Sequence, residues 1–426
     1  MAPRLFRHLG AALLAASVLC PPVLAATPEQ RAEAALKAAP VWDGHNDVPI
    51  QLRGRYQDAI NDFDFADTTD TADPDADDYR KRAMHTDLAR LRKGHVGAQF
   101  WSVYVSADLE GDAAVKVTLE QIDVAKRLVA RYPDDLMLAT SSADVERAIK
   151  QGRIASLFGM EGGHSIGGSL GVLRQMYAQG VRYMTLTHSR NTSWADSASE
   201  PPEHNGLTDF GRDVVREMNR LGMLVDLSHV SDETMLDALE VSRVPVIFSH
   251  SGARAVNGHE RNVPDAVLDR LKDNGGIVMA IALPDYVSEE LRQWRAAKAG
   301  EEARLKTLFP ANADSVKQGL ADWEAQNPTP DATVSQVADH IDHIVGRIGI
   351  DHVGIGGDYD GMPHGPEGME DVSGYPALFA ELVRRGYSQG DLEKIASRNM
   401  MRVLKQAERY AAAHRGDLPI EYPVGK

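Results

Sequence analysis

A single cysteine, Cys20, occurs in these 426 residues. It lies in an N-terminal stretch that reads as removable, so the rest of the chain has no thiol. That excludes a disulfide framework and thiolate metal ligands, and leaves His, Asp and Glu as donors for any bound metal. Basic charge is also scarce: 46 Lys and Arg face 62 Asp and Glu, a formal net charge of −16. Without a basic stripe there is no footprint for a nucleic-acid partner. No apolar run reaches the roughly 20 residues of a membrane-spanning helix. A glycine-rich dinucleotide fingerprint is missing too, since the first strand runs into Gly44-His45-Asn46-Asp47 rather than GxGxxG.

What is present begins with a targeting pattern. Arg4 and Arg7 precede the apolar stretch Leu9–Leu19, and small residues follow at Ala25 and Ala26. This is the order of a secretory signal peptide. Residues 1–25 are expected to be cleaved, leaving one exported domain, 26–426, in the periplasm or outside the cell. Leu19 disfavours a lipoprotein reading of Cys20, and no apolar tail precedes Lys426, so no stable membrane anchor is expected.

Eight short apolar runs then read as parallel strands: Val41–Asp47, Val96–Val105, Ile154–Glu161, Val181–His188, Met223–His229, Val244–His250, Gly275–Ala282 and His352–Asp358. Helical periodicity separates them at Leu119–Tyr132, Ser169–Gln179, Asp209–Leu221, Ser231–Val241 and Pro264–Asp273. Eight strand–helix repeats favour a closed α/β (β/α)8 TIM barrel over an open doubly wound sheet. Two segments depart from the repeat. Asp58–Asp78 is an aspartate-rich loop, and Glu289–Asp331 is a helical insert before the last strand, readable as a lid, an oligomer contact or an outer helix. Ala377–Tyr410 reads as a C-terminal helical extension packing on the barrel. A homodimer would have to use the outer helices or the insert, because a barrel has no free edge.

Six of the eight runs end in a residue that binds metal or handles protons. A barrel gathers its strand C-termini on one face. His45 and Asp47, two apart, point to the same side of a strand. Glu161 ends an apolar run where a lone carboxylate has no place unless partnered, and its two oxygens can bridge two metals. His229 and His250 repeat the pattern. Singly, each is a common structural residue; together they form a ligand set suited to zinc. Asp358 can move protons beside the metals, and His188 reads either as a further ligand or as an electrophile facing a carbonyl. Asp360, followed by Gly361, reads as a turn residue, and His164 and His95 as structural or solvent-facing.

Asp43-Gly44-His45-Asn46-Asp47 together with Glu161-Gly162-Gly163-His164 resembles the membrane (renal) dipeptidase family of zinc peptidases. The likeness continues through Gly180–His188, Asn191–Asp196, Asp226–Ser231, Pro245–Ser251 and Gly356–Gly361, nearly the whole length after residue 40. The resemblance implies an amidohydrolase-type TIM barrel that hydrolyses dipeptides by a hydroxide shared between two zinc ions. It assigns His45 and Asp47 to one zinc, His229 and His250 to the other, and Glu161 as the bridge. His188 would bind the substrate carbonyl, Asp358 would shuttle the proton, and Arg261 would grip the dipeptide's C-terminal carboxylate. The chain departs from mammalian members in lacking their cysteines and anchoring tail. Other amidohydrolase chemistry, on a lactone, cyclic amide or β-lactam, is the nearest alternative. The usual His-x-His and carboxylated lysine of such enzymes are replaced here by His45-x-Asp47 and Glu161. A binding or metal-storage protein would leave His188, Arg261 and Asp358 idle.

Overall fold

A computed structural model describes residues 26–76 and 78–422; the expected signal segment lies outside them. Among the described residues nine parallel strands run in chain order: β1 Val41–Asn46, β2 Val96–Ser102, β3 Leu136–Leu138, β4 Ile154–Glu161, β5 Val181–Thr185, β6 Leu224–Asp226, β7 Ile247–Ser251, β8 Ile277–Ala280 and β9 Val353–Ile355. All but β3 close into a barrel, with β1 paired to both β2 and β9 and β2 paired to β4. This is the expected (β/α)8 TIM barrel. The sequence reading missed β3, a three-residue strand along the start of β4, ahead of the point where β5 takes up the pairing at Phe158.

The strands are mostly apolar because both of their faces are covered, and their polar residues collect toward the C-terminal ends. β1, β2 and β4 are buried at every position. Inside the barrel, Trp42, Phe100, Leu157, Tyr183, Ile247 and Met279 form one cluster. A larger cluster fills the space between barrel and helices. Helix starts follow local hydrogen-bond chemistry: Ser169, Thr208, Ser231 and Thr333 each accept the backbone N–H three residues on. Gly222 and Gly275 end two helices at φ +81°, where a side chain would be strained. The expected helices appear within a residue or two, except that the first begins earlier, at Gly111. Its Leu119, expected on the apolar face, is 44% exposed.

The described residues of the Asp58–Asp78 stretch are irregular, as expected, up to a short turn of helix at Tyr79–Lys81. The 289–331 insert is an outer pair of helices, Glu289–Leu308 and Ala313–Gln326, joined through Trp294 and Trp323 at 5.7 Å. The C-terminal extension ends in the helix Asn399–Ala413, whose Met400, Val403, Leu404 and Ala407 join the cluster inside the barrel. Asn399 donates to the Val353 carbonyl and Arg402 to the Gly275 carbonyl, so this helix plugs the N-terminal end of the barrel. At the other end, Asp43 accepts hydrogen bonds from the His45 and Gly357 amides and the Tyr375 hydroxyl, fastening β1 to residues beyond β9. Among the described residues no helix is long and apolar enough to cross a membrane.

Candidate metal centre and active site

At the C-terminal mouth lies a cavity of about 740 Å³ that brings together Asp47, Glu161, His188, His229, His250 and Arg261, with Asp358 also on its wall. His45 lies beneath it, fully buried. All eight residues singled out in the sequence therefore meet, although several sit just past their strands. Asp47 occupies the junction of β1 with the next helix, His188 lies three residues beyond β5, and His229 three beyond β6. The His45–Asp47 pair is made by that junction, not by the alternation of an extended strand. His229 and Asp358 have φ of +70° and +62°, conformations that non-glycine residues adopt at local energetic cost and that cluster at functional sites.

Glu161 is the centre of the arrangement. Its Oε2 lies 3.4 Å from His45 Nε2 and accepts the Ser102 hydroxyl at 3.0 Å. Its Oε1 lies 3.0 Å from His229 Nε2 and 3.5 Å from His250 Nε2. One oxygen thus faces the His45–Asp47 pair and the other the two later histidines. Asp47 Oδ2 is 3.3 Å from His45 Nε2, and the His229 and His250 Nε2 atoms are 2.9 Å apart. Donor atoms converge in three overlapping triads: His45, Asp47 and Glu161; Glu161, His229 and His250; His45, His250 and Asp358.

The cluster sets carboxyls and imidazoles against one another in a buried place, and each shifts its neighbours. Burial opposes a charge on His45, yet Tyr183, Glu161 and Asp47 hold its imidazole well above the usual histidine range. Burial likewise opposes ionisation of Glu161, but His45 and His188 hold its carboxyl well below the usual range. Burial pushes Asp47 up, and pushes Asp358 far up with Asp47 and Glu161 adding to it. His229 and His250 are held well below the ordinary value by burial and neighbouring positive charge. Asp47, Glu161 and Asp358 thus share one site with His45, His229 and His250. His45 Nε2, buried and aimed at Asp47 and Glu161, has no hydrogen-bond partner among the described residues. This donor set fits divalent metal.

Around the cluster stand the groups able to handle a substrate. His188 lies against the Tyr104 ring at 4.7 Å and the His229 ring at 4.3 Å. Burial brings its pKa down to about 4, against the pull of Glu161, so it is neutral near pH 7. Arg261 is 2% exposed, and its Nε and Nη1 find no partner among the described residues. Its guanidinium lies 5.5 Å over the Tyr286 ring. A buried guanidinium fork on a cavity wall has the geometry to pair bidentately with a carboxylate.

Several contributors were not identified in the sequence: Ser102, Tyr104, Tyr183, Asp226, Ser249 and Tyr286. Asp226 gave a signal, as an acid in the apolar run Met223–Leu227; the others are residue types common in any barrel strand. Asp360 is a turn residue at φ +67°, as read, but it also lines the cavity and accepts the His85 amide through Oδ1. Neither His164 nor His95 lines the cavity; they lie near the Val105 carbonyl and Glu33 respectively. No residue of 289–331 lines the cavity, so the insert is not a lid in this structure.

The chain matches the membrane dipeptidase family, peptidase family M19, over residues 29–417. Dipeptidase tcpJ of Claviceps purpurea (strain 20.1) is 42% identical over 387 residues, 89% of this chain and 79% of that protein. Dipeptidase 3 of Macaca fascicularis is 41% identical over 403 residues, 93% of this chain and 71% of that protein. The crystal structure of the probable dipeptidase PvdM from Pseudomonas aeruginosa shares the fold, with a TM-score of 0.74 at 24% identity over 90% of this chain and 99% of that one.

Proposed function

Because this chain belongs to the membrane dipeptidase family and is a dipeptidase of the metallopeptidase type, we propose that it hydrolyses dipeptides with a free C-terminal carboxylate, using two zinc ions. The observation that carries this reading is the pairing, in one cavity, of a buried His/Asp/Glu donor set with a buried arginine whose Nε and Nη1 have no hydrogen-bond partner among the described residues. His45 and Asp47 would hold one ion, His229 and His250 the other, and Glu161 both. When bound, the ions supply a water of lowered pKa and polarise the scissile carbonyl.

The protein's own groups do the rest. Arg261 takes the substrate carboxylate in its fork, which fixes the register of the peptide bond over the donor cluster. His188, neutral at working pH, donates an N–H to the carbonyl oxygen as negative charge develops there. Asp358 takes the proton from the attacking water and returns it to the leaving nitrogen as the C–N bond breaks, so the products are an amino acid with a new carboxylate and one with a free amine. The order Arg4, Arg7, Leu9–Leu19, Ala25 supports export with removal of residues 1–25. Protein recovered outside the cytoplasm should begin at Ala26 or Thr27 by N-terminal sequencing.

The test is release of free amino acid from a panel of L,L and L,D dipeptides and their C-terminal amides, with and without a chelator. Chelator-sensitive cleavage of the free acids but not of the amides is expected. Cleavage of the amides at equal rate would remove Arg261 from its role. No cleavage of any dipeptide by zinc-loaded protein would move the assignment to another amide substrate.

A further inference from the structure

Two of the imidazoles in the donor cluster are held from behind by hydrogen-bond chains that run into the barrel, and the chains differ in chemistry. Behind His250, Nδ1 lies 2.8 Å from Ser249 Oγ, and Ser249 donates its hydroxyl to Asp226 Oδ2 at 2.6 Å. The Asp226 oxygens also accept from the Thr185 hydroxyl at 2.5 Å and from the Ser228 and Ser249 amides. Ser249 has one hydroxyl proton, and a carboxylate receiving four hydrogen bonds claims it. Ser249 Oγ can therefore only accept from His250, which puts the imidazole proton on Nδ1 and leaves the Nε2 lone pair facing Glu161.

Behind His45 the same logic uses a phenol. His45 Nδ1 lies 2.8 Å from Tyr183 Oη, and Tyr183 donates to the Gly44 carbonyl at 3.2 Å. A carbonyl oxygen can only accept, so the phenol proton is committed there and Oη accepts from His45 Nδ1–H. Again Nε2 is the free donor atom, and it is the one that points at Asp47 and Glu161. Tyr183 is wholly buried inside the barrel, which is a poor place for a hydroxyl without a task.

We infer that Asp226, acting through Ser249, and Tyr183 are positioning residues, each fixing the tautomer and ring orientation of one metal-ligating histidine, His250 and His45 respectively. One metal position is thereby backed by a carboxylate and the other by a neutral phenol anchored on backbone. Partners behind a metal-bound histidine raise its basicity and pre-set its geometry, and their loss costs roughly 10- to 100-fold in metal affinity. This inference rests on the two-metal reading above.

The experiment separates the positions. In Asp47→Ala protein the position served by His229 and His250 keeps its ligands; in His229→Ala protein the position served by His45 and Asp47 does. Zinc affinity is measured in each background by competition with a chromophoric chelator, and thermal unfolding of the metal-free protein is followed alongside. In Asp47→Ala, Ser249→Ala should weaken zinc binding by about tenfold or more and Tyr183→Phe should leave it unchanged. In His229→Ala the pattern should reverse. Asp226→Asn should follow Ser249→Ala; should it fail to fold, Ser249→Ala carries the test alone. Equal effects of Ser249→Ala and Tyr183→Phe in both backgrounds would overturn the inference, as would no effect of either. If the unsubstituted protein takes up no zinc, the two-metal reading fails first, so the two failures are distinguishable.

Discussion

Gly159 and Tyr183 are complementary across the β4–β5 pair: a Cβ on Gly159 would lie 2.0 Å from Tyr183 Cζ. The absent side chain on β4 is what lets the phenol of β5 reach His45 on β1. Gly159→Ala should therefore cost stability by overpacking, on the order of 1–3 kcal/mol, and should also loosen zinc binding by displacing the phenol. Denaturant unfolding of metal-free protein and a zinc titration measure the two effects; a stability loss with intact zinc affinity would show that the ring can move without disturbing His45.

Arg261 and Glu161 should fail in different ways. Arg261→Met removes a charged hydrogen-bonding fork, typically worth about 1.5–3 kcal/mol, so KM for a dipeptide should rise roughly 10- to 100-fold with metal content unchanged. Glu161→Gln removes the charge that both halves of the donor cluster share, and activity should disappear together with bound metal. Metal analysis and steady-state kinetics on both variants check the division; equal metal loss in the two would refute it.

Gly361 is set against the same cluster from the other side. A Cβ there would lie 2.2 Å from Asp47 Oδ2 and 2.8 Å from Asp358 Oδ1. Gly361→Ala should push these carboxylates apart, lowering zinc occupancy at the His45–Asp47 position while leaving unfolding by denaturant little changed, because the residue is exposed at the cavity. Metal analysis of the purified variant is the readout.

His259 gives the protein an acid sensitivity. Burial, with Arg261 and Arg292 adding to it, brings its pKa down to about 4 from 6.5, against the opposing pull of Asp285. The unfolded chain then binds this proton first as pH falls, so stability is lost between about pH 6.5 and 4. His259 Nδ1 accepts the Arg261 amide at 3.1 Å and the ring packs on Tyr286 at 4.2 Å. His259→Asn keeps an acceptor for that amide and removes the titration. Its melting temperature should fall less steeply than that of the parent protein across this interval; parallel pH profiles would show that another group is responsible.

The barrel and its ligand-bearing mouth were legible in the sequence because both obey short-range rules. Strands buried on two faces are continuous apolar runs, and a His or Glu at the end of such a run stands out against Val and Ile. Glu161 and His250 were readable for that reason. What was not readable depended on contacts between distant strands. Tyr183 is an ordinary strand aromatic until β1 is placed beside it, and Ser249 is an unremarked serine until Asp226 is seen behind it. β3 was missed because three residues are too few for a period. The Asp47 geometry differed from expectation because the chain turns into a helix one residue after β1 ends, and the turn, not the pleat, aims the carboxylate.

The fastening of β1 through Asp43 has a consequence for biosynthesis. Two of its hydrogen-bond donors lie 314 and 332 residues further along the chain, and β1 pairs with β9 at Asp43 and Ile355, with Asn46 bridging Tyr359 just beyond it. A nascent chain therefore carries His45 and Asp47 from the outset but has nothing to seal the wall they stand on until its final quarter has emerged. Such long-range closure is slow. It also makes metal capture a late event, so that an interrupted or truncated product would hold ligands without a site and remain inert toward peptides.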